Sequence, residues 1–310
     1  MAYLSVVVNS AADLKAAIES FAQTNGWTLT SGVLSKNGCY VSIYVAAVND
    51  LRIAGGKNGD FTGVNASYTK RIHVSTWPSS ATVHLFGFNN PDTIWMTMNY
   101  DVVKFHHMGF GNMIKYGSWG GGQWNHGQHT MYAGSIDTKC FATLGLSSRA
   151  SSSTGVQCGF FADGADGHSW DNGYLENTPT HLECDIRGRI WEPPYANGNG
   201  DDKYWTFRFL TPIHYKNPNV FNSQTLLSPF QIWLRASDGY LQCLGHVDHI
   251  RWVKLTNYNP GDVITLGSDQ WKLFPWCVHD VSQPDGQSVF YGQQLPTTGV
   301  LGCAIKYDGP

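Results

Sequence analysis

The alternation of apolar and polar positions divides the chain into one helix and many strands. Leu14, Ala17, Ile18, Phe21 and Ala22 fall at i, i+3, i+4, i+7 and i+8, the single apolar stripe of a helix laid on a surface. Ser10 is a natural N-cap, Asp13 stands where a capping-box acid reaches back, and Gly26 is a C-terminal stop. The spacing predicts a helix from Ala11 to Asn25 whose stripe covers a sheet. After it the period falls to two. Trp27–Thr30 and the β-branched, aromatic run Gly38–Val45 read as strands, followed by Ser67–Ser75, Ala81–Phe88, Thr93–Tyr100 and Val102–Met108. Ile94, Met96, Met98 and Tyr100 share one face; Val103, Phe105 and His107 share a face of the next strand. The Asn89-Asn90-Pro91-Asp92 turn and the short spacings imply antiparallel pairing.

From Gly109 to Ala133 the alternation gives way to glycines set among Phe110, Tyr116, Trp119 and Trp124. Glycines permit close backbone approach and the rings supply buried area, so this stretch is expected to be a shaped, packed loop. Residues 147–155 are serine-rich and mark a loop or boundary, and 159–203 are turn-rich. Strands resume at Tyr204–Leu210, Phe230–Ala236, Tyr240–His246, Ile250–Leu255, Val263–Leu266, Trp271–Val278 and Leu301–Tyr307. The expected fold is mainly β, α+β at its N-terminus: antiparallel, β-sandwich-like sheets with one N-terminal helix packed on a sheet. The expected organisation is residues 1–145, then a β-rich portion 146–310, or one continuous domain. With no heptads or internal repeats, a coiled-coil shaft is excluded.

Composition narrows the partners. Charged residues make up 14% of the 310, against about 25% in an average domain, and 34 glycines and 14% aromatics fill the difference. Such a chain is not disordered. Net charge is −3, and the longest basic cluster is Lys70-Arg71, so no phosphate-neutralising footprint for nucleic acid exists. No apolar run approaches the roughly 20 residues of a membrane helix, so membrane insertion is not expected. Residues 1–8 lack the basic segment of a signal peptide, which implies assembly in the cytoplasm. The seven cysteines (Cys39, Cys140, Cys158, Cys184, Cys243, Cys277 and Cys303) include no C-x-x-C pair. They read as reduced, buried small hydrophobes.

Candidate chemistry is sparse. The pairs His106-His107, His126-x-x-His129 and His246-x-x-His249 lack the third and fourth ligands of a zinc site, and polar strand or loop histidines are expected. Asp163-Gly164-Ala165-Asp166-Gly167-His168 has Ala165 where a calcium loop needs an oxygen, so turn chemistry explains it. A glycosidase needs two carboxylates in an aromatic cleft. Asp171 with Glu176 or Glu183, near Trp170, Tyr174 and Trp191, is the pair to nominate, against the plainer reading of solvated loop acids. No cofactor motif and no nucleophile motif appears, so neither cofactor nor catalysis is expected. Trp119, Trp124 and Tyr132, with His126 and His129 beside them, are candidates for subunit or glycan contact, weighed against packing in the core.

The run His107-Met108-Gly109-Phe110-Gly111-Asn112-Met113, then Lys115-Tyr116-Gly117 and Trp119-Gly120-Gly121-Gly122, resembles a signature of tailed-bacteriophage tail, baseplate and virion structural proteins. Phe88-Asn89-Asn90-Pro91-Asp92 before it fits the resemblance, as do Gly261–Gly267, Trp271, Phe274-Pro275 and Gly302-Cys303-Ala304-Ile305 after it. The resemblance implies a structural component of a phage tail, placed in the virion, contacting other tail or baseplate subunits and forming a three- or six-fold homo-oligomer. A receptor- or carbohydrate-binding tail protein that touches a host-surface glycan is the alternative it leaves open. A tail-associated glycosidase comes third.

Overall fold

The computed structural model describes residues 1–62, 70–74, 77–127, 129–130, 182–186, 203–206, 220–221, 224–235, 241–275, 287–290, 293–296 and 301–309. Strand β1 (Ala2–Val8) leads into the helix α1 (Ala11–Thr24). The Ser10 hydroxyl accepts from the Asp13 N–H at 3.0 Å, and the Asp13 carboxylate reaches back to the Asn9 N–H at 3.2 Å. The first contact satisfies a backbone donor that a helix start leaves unpaired, and the second ties the residue before the cap to the first turn. Five strands follow as a meander: β2 (Thr28–Thr30), β3 (Val33–Lys36), β4 (Cys39–Ala47), β5 (Asp50–Gly55) and β6 (Lys70–His73). Next come the paired strands β7 (Ala81–Asn89), β8 (Asp92–Asp101) and β9 (Lys104–Asn112), then β10 (Ile114–Lys115), β11 (Gly121–Gly127) and β12 (His129–Thr130).

The later strands are β13 (Leu182–Ile186), β14 (Lys203–Thr206), β15 (Val220–Phe221), β16 (Gln224–Thr225), β17 (Ser228–Arg235), β18 (Leu241–Lys254), β19 (Val263–Leu266), β20 (Asp269–Pro275), β21 (Gln287–Phe290), β22 (Gln293–Pro296) and β23 (Leu301–Tyr307). Among the described residues these strands form three large antiparallel sheets. The central one has the order β1-β7-β8-β9-β11-β13, the first sheet β12-β6-β5-β4-β3-β2, and the last β14-β17-β18-β23-β20-β19, with β10 added to β18. Mainly β, antiparallel and with one helix on a sheet, the architecture is the one the periodicity predicts. The expected boundary after residue 145 lies outside the described residues. Strands from both sides of it share sheets: β11 pairs with β13, and β10 with β18.

The central sheet is covered on both faces. On one, Leu14, Ile18 and Phe21 of α1 meet Val41, Ile43, Leu51 and Ile53 of the first sheet and Val83, Leu85, Ile94, Met96 and Met108 of the central one. Burying one such side chain is worth about 1.5–3 kcal/mol. On the other face the last sheet packs through Phe274, whose ring lies 4.9 Å from His84 and 6.2 Å from Phe86. At the β7–β8 turn, Asp92 takes an ion pair from Lys36 at 2.8 Å and a hydrogen bond from Asn37 Nδ2 at 2.6 Å, tying the first sheet to the central one.

Two expectations need correction. The glycine-aromatic stretch is not one loop: β9 runs on through Asn112, and Gly121–Gly127 is a strand beside it. Glycine usually weakens strands, but here two glycines sit where another chain segment occupies the side-chain space. A Cβ on Gly109 would lie 2.4 Å from Trp95 Cε3, and one on Gly111 would lie 2.2 Å from the Asp92 carbonyl oxygen. The second correction is that Tyr240–His246 and Ile250–Leu255 belong to one continuous strand, β18. Its register against β17 slips between Pro229 and Phe230, which skips Asp248 to Ile250 and breaks the alternation.

Candidate functional site

Period two places Trp95 and Thr97 of β8 on the face away from the helix, opposite Gly109 and His107 of β9. Trp124 and His126 of β11 lie opposite Gly111 and Gly109, hence on the same face. These side chains form one buried aromatic row. Trp95 stacks on His126 with ring centroids 5.4 Å apart and planes within 4°, and it stands 6.2 Å from Trp124 and 5.9 Å from His107. Gly109 is the floor on which the Trp95 ring rests.

His107 fastens this row to the last sheet. Its Nε2 lies 2.8 Å from the Pro275 carbonyl oxygen, which only accepts, so Nε2 carries the proton. Nδ1 is then the acceptor for the Thr97 hydroxyl at 3.0 Å, with the Cys303 thiol 3.9 Å away. His106, on the opposite face, stacks on Tyr100 at 4.4 Å. Burial pushes the Cys39 and Cys303 thiols up, so both stay protonated, as small apolar groups do.

Of the five candidate contact residues, Trp124 and His126 have no exposed surface; they are core. The reason is the strand just described, which turns them inward between sheets. Trp119 is half-buried, with Lys115 Nζ 5.2 Å from its ring while that ammonium donates to the Trp119 and Gly121 carbonyls at 2.7 and 3.2 Å. His129 sits in β12 opposite Arg71, and Tyr132 lies outside the described residues. The carboxylates Asp171 and Glu176 and the loop Asp163–His168 also lie outside them; Glu183 is in β13, opposite Asn125.

His246 and His249 do come together, around an aspartate the sequence reading passed over. Asp248 stands 3.6 Å from His246 Nε2, 3.5 Å from His249 Nδ1 and 3.0 Å from Arg251 Nη2. Burial alone would raise its carboxyl, yet these three neighbours hold it well below the usual carboxylate range. His246 Nδ1 is 2.9 Å from the Tyr116 hydroxyl. His249 stacks on Phe88 at 4.2 Å and donates from Nε2 to the Asn90 carbonyl at 2.9 Å. This hub therefore clips β18 to the β7–β8 turn and to the signature segment. A polar residue between two histidines was the only signal for it.

His84 is the other group the sequence reading missed. The Tyr3 hydroxyl lies 2.8 Å from its Nδ1, and burial together with the Lys272 ammonium pushes it down to about 4. His107 and the Asp248 hub tie the central sheet to the last one, and Met108 and Phe110 of the signature lie in the core shared with the first sheet. No family model and no curated protein matches this chain.

Proposed function

We propose that this chain is an architectural subunit of a bacteriophage tail, in the baseplate, tail tip or fibre-attachment region, acting through protein–protein contacts in a symmetric virion assembly. One observation carries the reading beyond the resemblance of sequence. The residues that bear the resemblance, His107 to Gly122, are spent on joining sheets. β9 is central, Met113 N–H donates to the Gly122 carbonyl at 2.9 Å, and β10 crosses to pair with β18, where Tyr116 N–H donates to the Leu244 carbonyl at 2.7 Å. A segment built this way serves rigidity, which is what a subunit repeated around a tail axis requires. Heterologous contacts between rigid copies close into three- or six-fold rings when the rotation permits.

The reading as a host-surface binder loses Trp124 and His126, which are inside; among the described aromatic residues of the signature, half-buried Trp119 and exposed Tyr116 remain for it. Mass-spectrometric detection in purified virions, with immunogold labelling, tests the proposal. Label at the distal tail is the expected result. Absence from virions overturns it, and adsorption of the purified protein to host cells would move it to the receptor-binding reading.

A further inference from the structure

Strand β1 is an edge of the central sheet. Among the described residues it pairs with β7 on one side and with no strand on the other. Natural sheet edges are blunted by charges, prolines or bulges, because an open row of backbone donors and acceptors templates another strand. Ala2–Val8 has none of these devices: it reads Ala-Tyr-Leu-Ser-Val-Val-Val, in unbroken register with β7. Leu4 is 42% exposed and Val7 57%. They stand three residues apart and so point to opposite faces of the sheet. A partner docked on one face would cover one of them. A strand added to the edge covers both.

We propose that β1 pairs antiparallel with the β1 of a second copy, across a two-fold axis through Ser5. Directly opposite residues then share a face with their Cβ atoms about 4.5–5.5 Å apart. This register sets Leu4 of one copy against Val6 of the other, and Val7 against Tyr3. The receiving side chains are already anchored: Val6 packs on the helix-side core, and Tyr3 packs against Phe86 and Tyr307 with ring centroids 5.2 and 5.1 Å away. Each exposed apolar group thus extends an existing core across the axis, on both faces at once. The same strand supplies both halves of the match, which is why a second copy is the occupant. The contact is isologous and joins two six-stranded sheets into one. It rests on the sheet edge and not on the tail reading, so a protein absent from virions would still associate this way.

Light-scattering mass of the full chain over a dilution series, together with one cross-link, decides it. The native chain is expected to form an even-numbered oligomer. The Leu4→Lys/Val7→Lys double variant, altered only at exposed side chains, is expected to halve that mass with an unchanged circular dichroism spectrum. Ser5→Cys is expected to give a reducible intermolecular disulfide, since two thiols meet at the axis within the reach of that bond. A monomer, an odd-numbered oligomer, a mass that does not halve, or a Ser5→Cys chain that stays uncrosslinked each overturns the proposal. If the double variant fails to fold, the cross-link alone decides, because it adds a single thiol at an exposed position.

Discussion

On the helix side of the central sheet, β7, β8 and β9 present Val83, Leu85, Ile94, Met96 and Met108 to α1 and the first sheet. On the other side the same strands present His84, Phe86 and His107 to β20 and β23, with Trp95 and Thr97 beside them on that face. Backbone, register and burial are shared, and the chemistry differs. The aliphatic side is held by summed contact area, part of it from Met96, Met98 and Met108, whose flexible side chains adapt to their surroundings. The aromatic side is held by ring geometry and by hydrogen bonds whose donors and acceptors are assigned one by one. Gly109 and Gly111, the glycines of the central sheet whose side-chain place a ring or backbone fills, face that second side. Specific contacts are less replaceable than area, so the two faces should fail differently when cut.

The largest effect is expected at Trp95. Removing a fully buried tryptophan costs about 3–5 kcal/mol, and its ring here also covers Gly109 and stacks on His126. Gly109→Ala forces a methyl group to 2.4 Å from Trp95 Cε3 and should cost about 1–3 kcal/mol by overpacking. The two changes should not add. Once the ring is gone the new methyl keeps only the Ile94 carbonyl as a close neighbour, at 3.2 Å, so Trp95→Ala/Gly109→Ala should cost little more than Trp95→Ala alone. Urea unfolding of the four chains measures the coupling; simple additivity would mean that the glycine is not there for the ring.

Next in size is a pH effect confined to the aromatic side. His84 is pushed down to about 4, first by burial and then by the Lys272 ammonium. Its folded value is thus below the ordinary 6.5, and the unfolded chain takes up the proton first. The stability His84 contributes is complete above about pH 6.5 and is lost as pH falls toward 4. Discounted for partial exposure, the loss is on the order of 2 kcal/mol. His84→Gln keeps an acceptor for the Tyr3 hydroxyl and cannot titrate. The gap between native and variant stability should therefore narrow between neutral pH and pH 4 in paired urea melts. A gap that stays constant would place the proton elsewhere.

The helix side was legible in the sequence and the aromatic side was not, for physical reasons. Leu14, Ile18 and Phe21 announce their helix because periodicity is a local property, and α1 ends within one residue of the expected place. Ile94, Met96 and Met98 announce a shared face for the same reason. Alternation also put Phe105 and His107 together, but nothing local says that Pro275 will offer its carbonyl to His107 from 168 positions away. The glycines misled most directly. Gly109 and Gly111 look like loop residues until Trp95 and the Asp92 backbone are seen filling their missing side-chain space. Trp124 and His126 drew attention as contact residues by composition alone. Only the pairing of β11 with β9 turns them inward. Strand β1 escaped notice because seven residues without charge or turn on either side have little pattern to show.

The smallest contrast is also the cleanest, because it compares two near-isosteric changes on one strand. Ile94 faces the helix side and Thr97 the aromatic side, and both are buried. Ile94→Val removes one methylene from a core that can settle, at about 0.5–1.5 kcal/mol. Thr97→Val removes no volume but deletes the hydroxyl that donates to His107 Nδ1, and hands that acceptor to the weaker Cys303 thiol at 3.9 Å. Leaving a buried acceptor under-served costs about 1–3 kcal/mol. Thr97→Val should therefore be the more harmful, even though it makes the core more apolar. Nitrogen NMR of His107 should still show the proton on Nε2, because the Pro275 carbonyl demands it, while the Nδ1 resonance shifts. If Thr97→Val instead matched or exceeded native stability, the aromatic side would be held by area like the other, and its hydrogen bonds would be consequences of the packing.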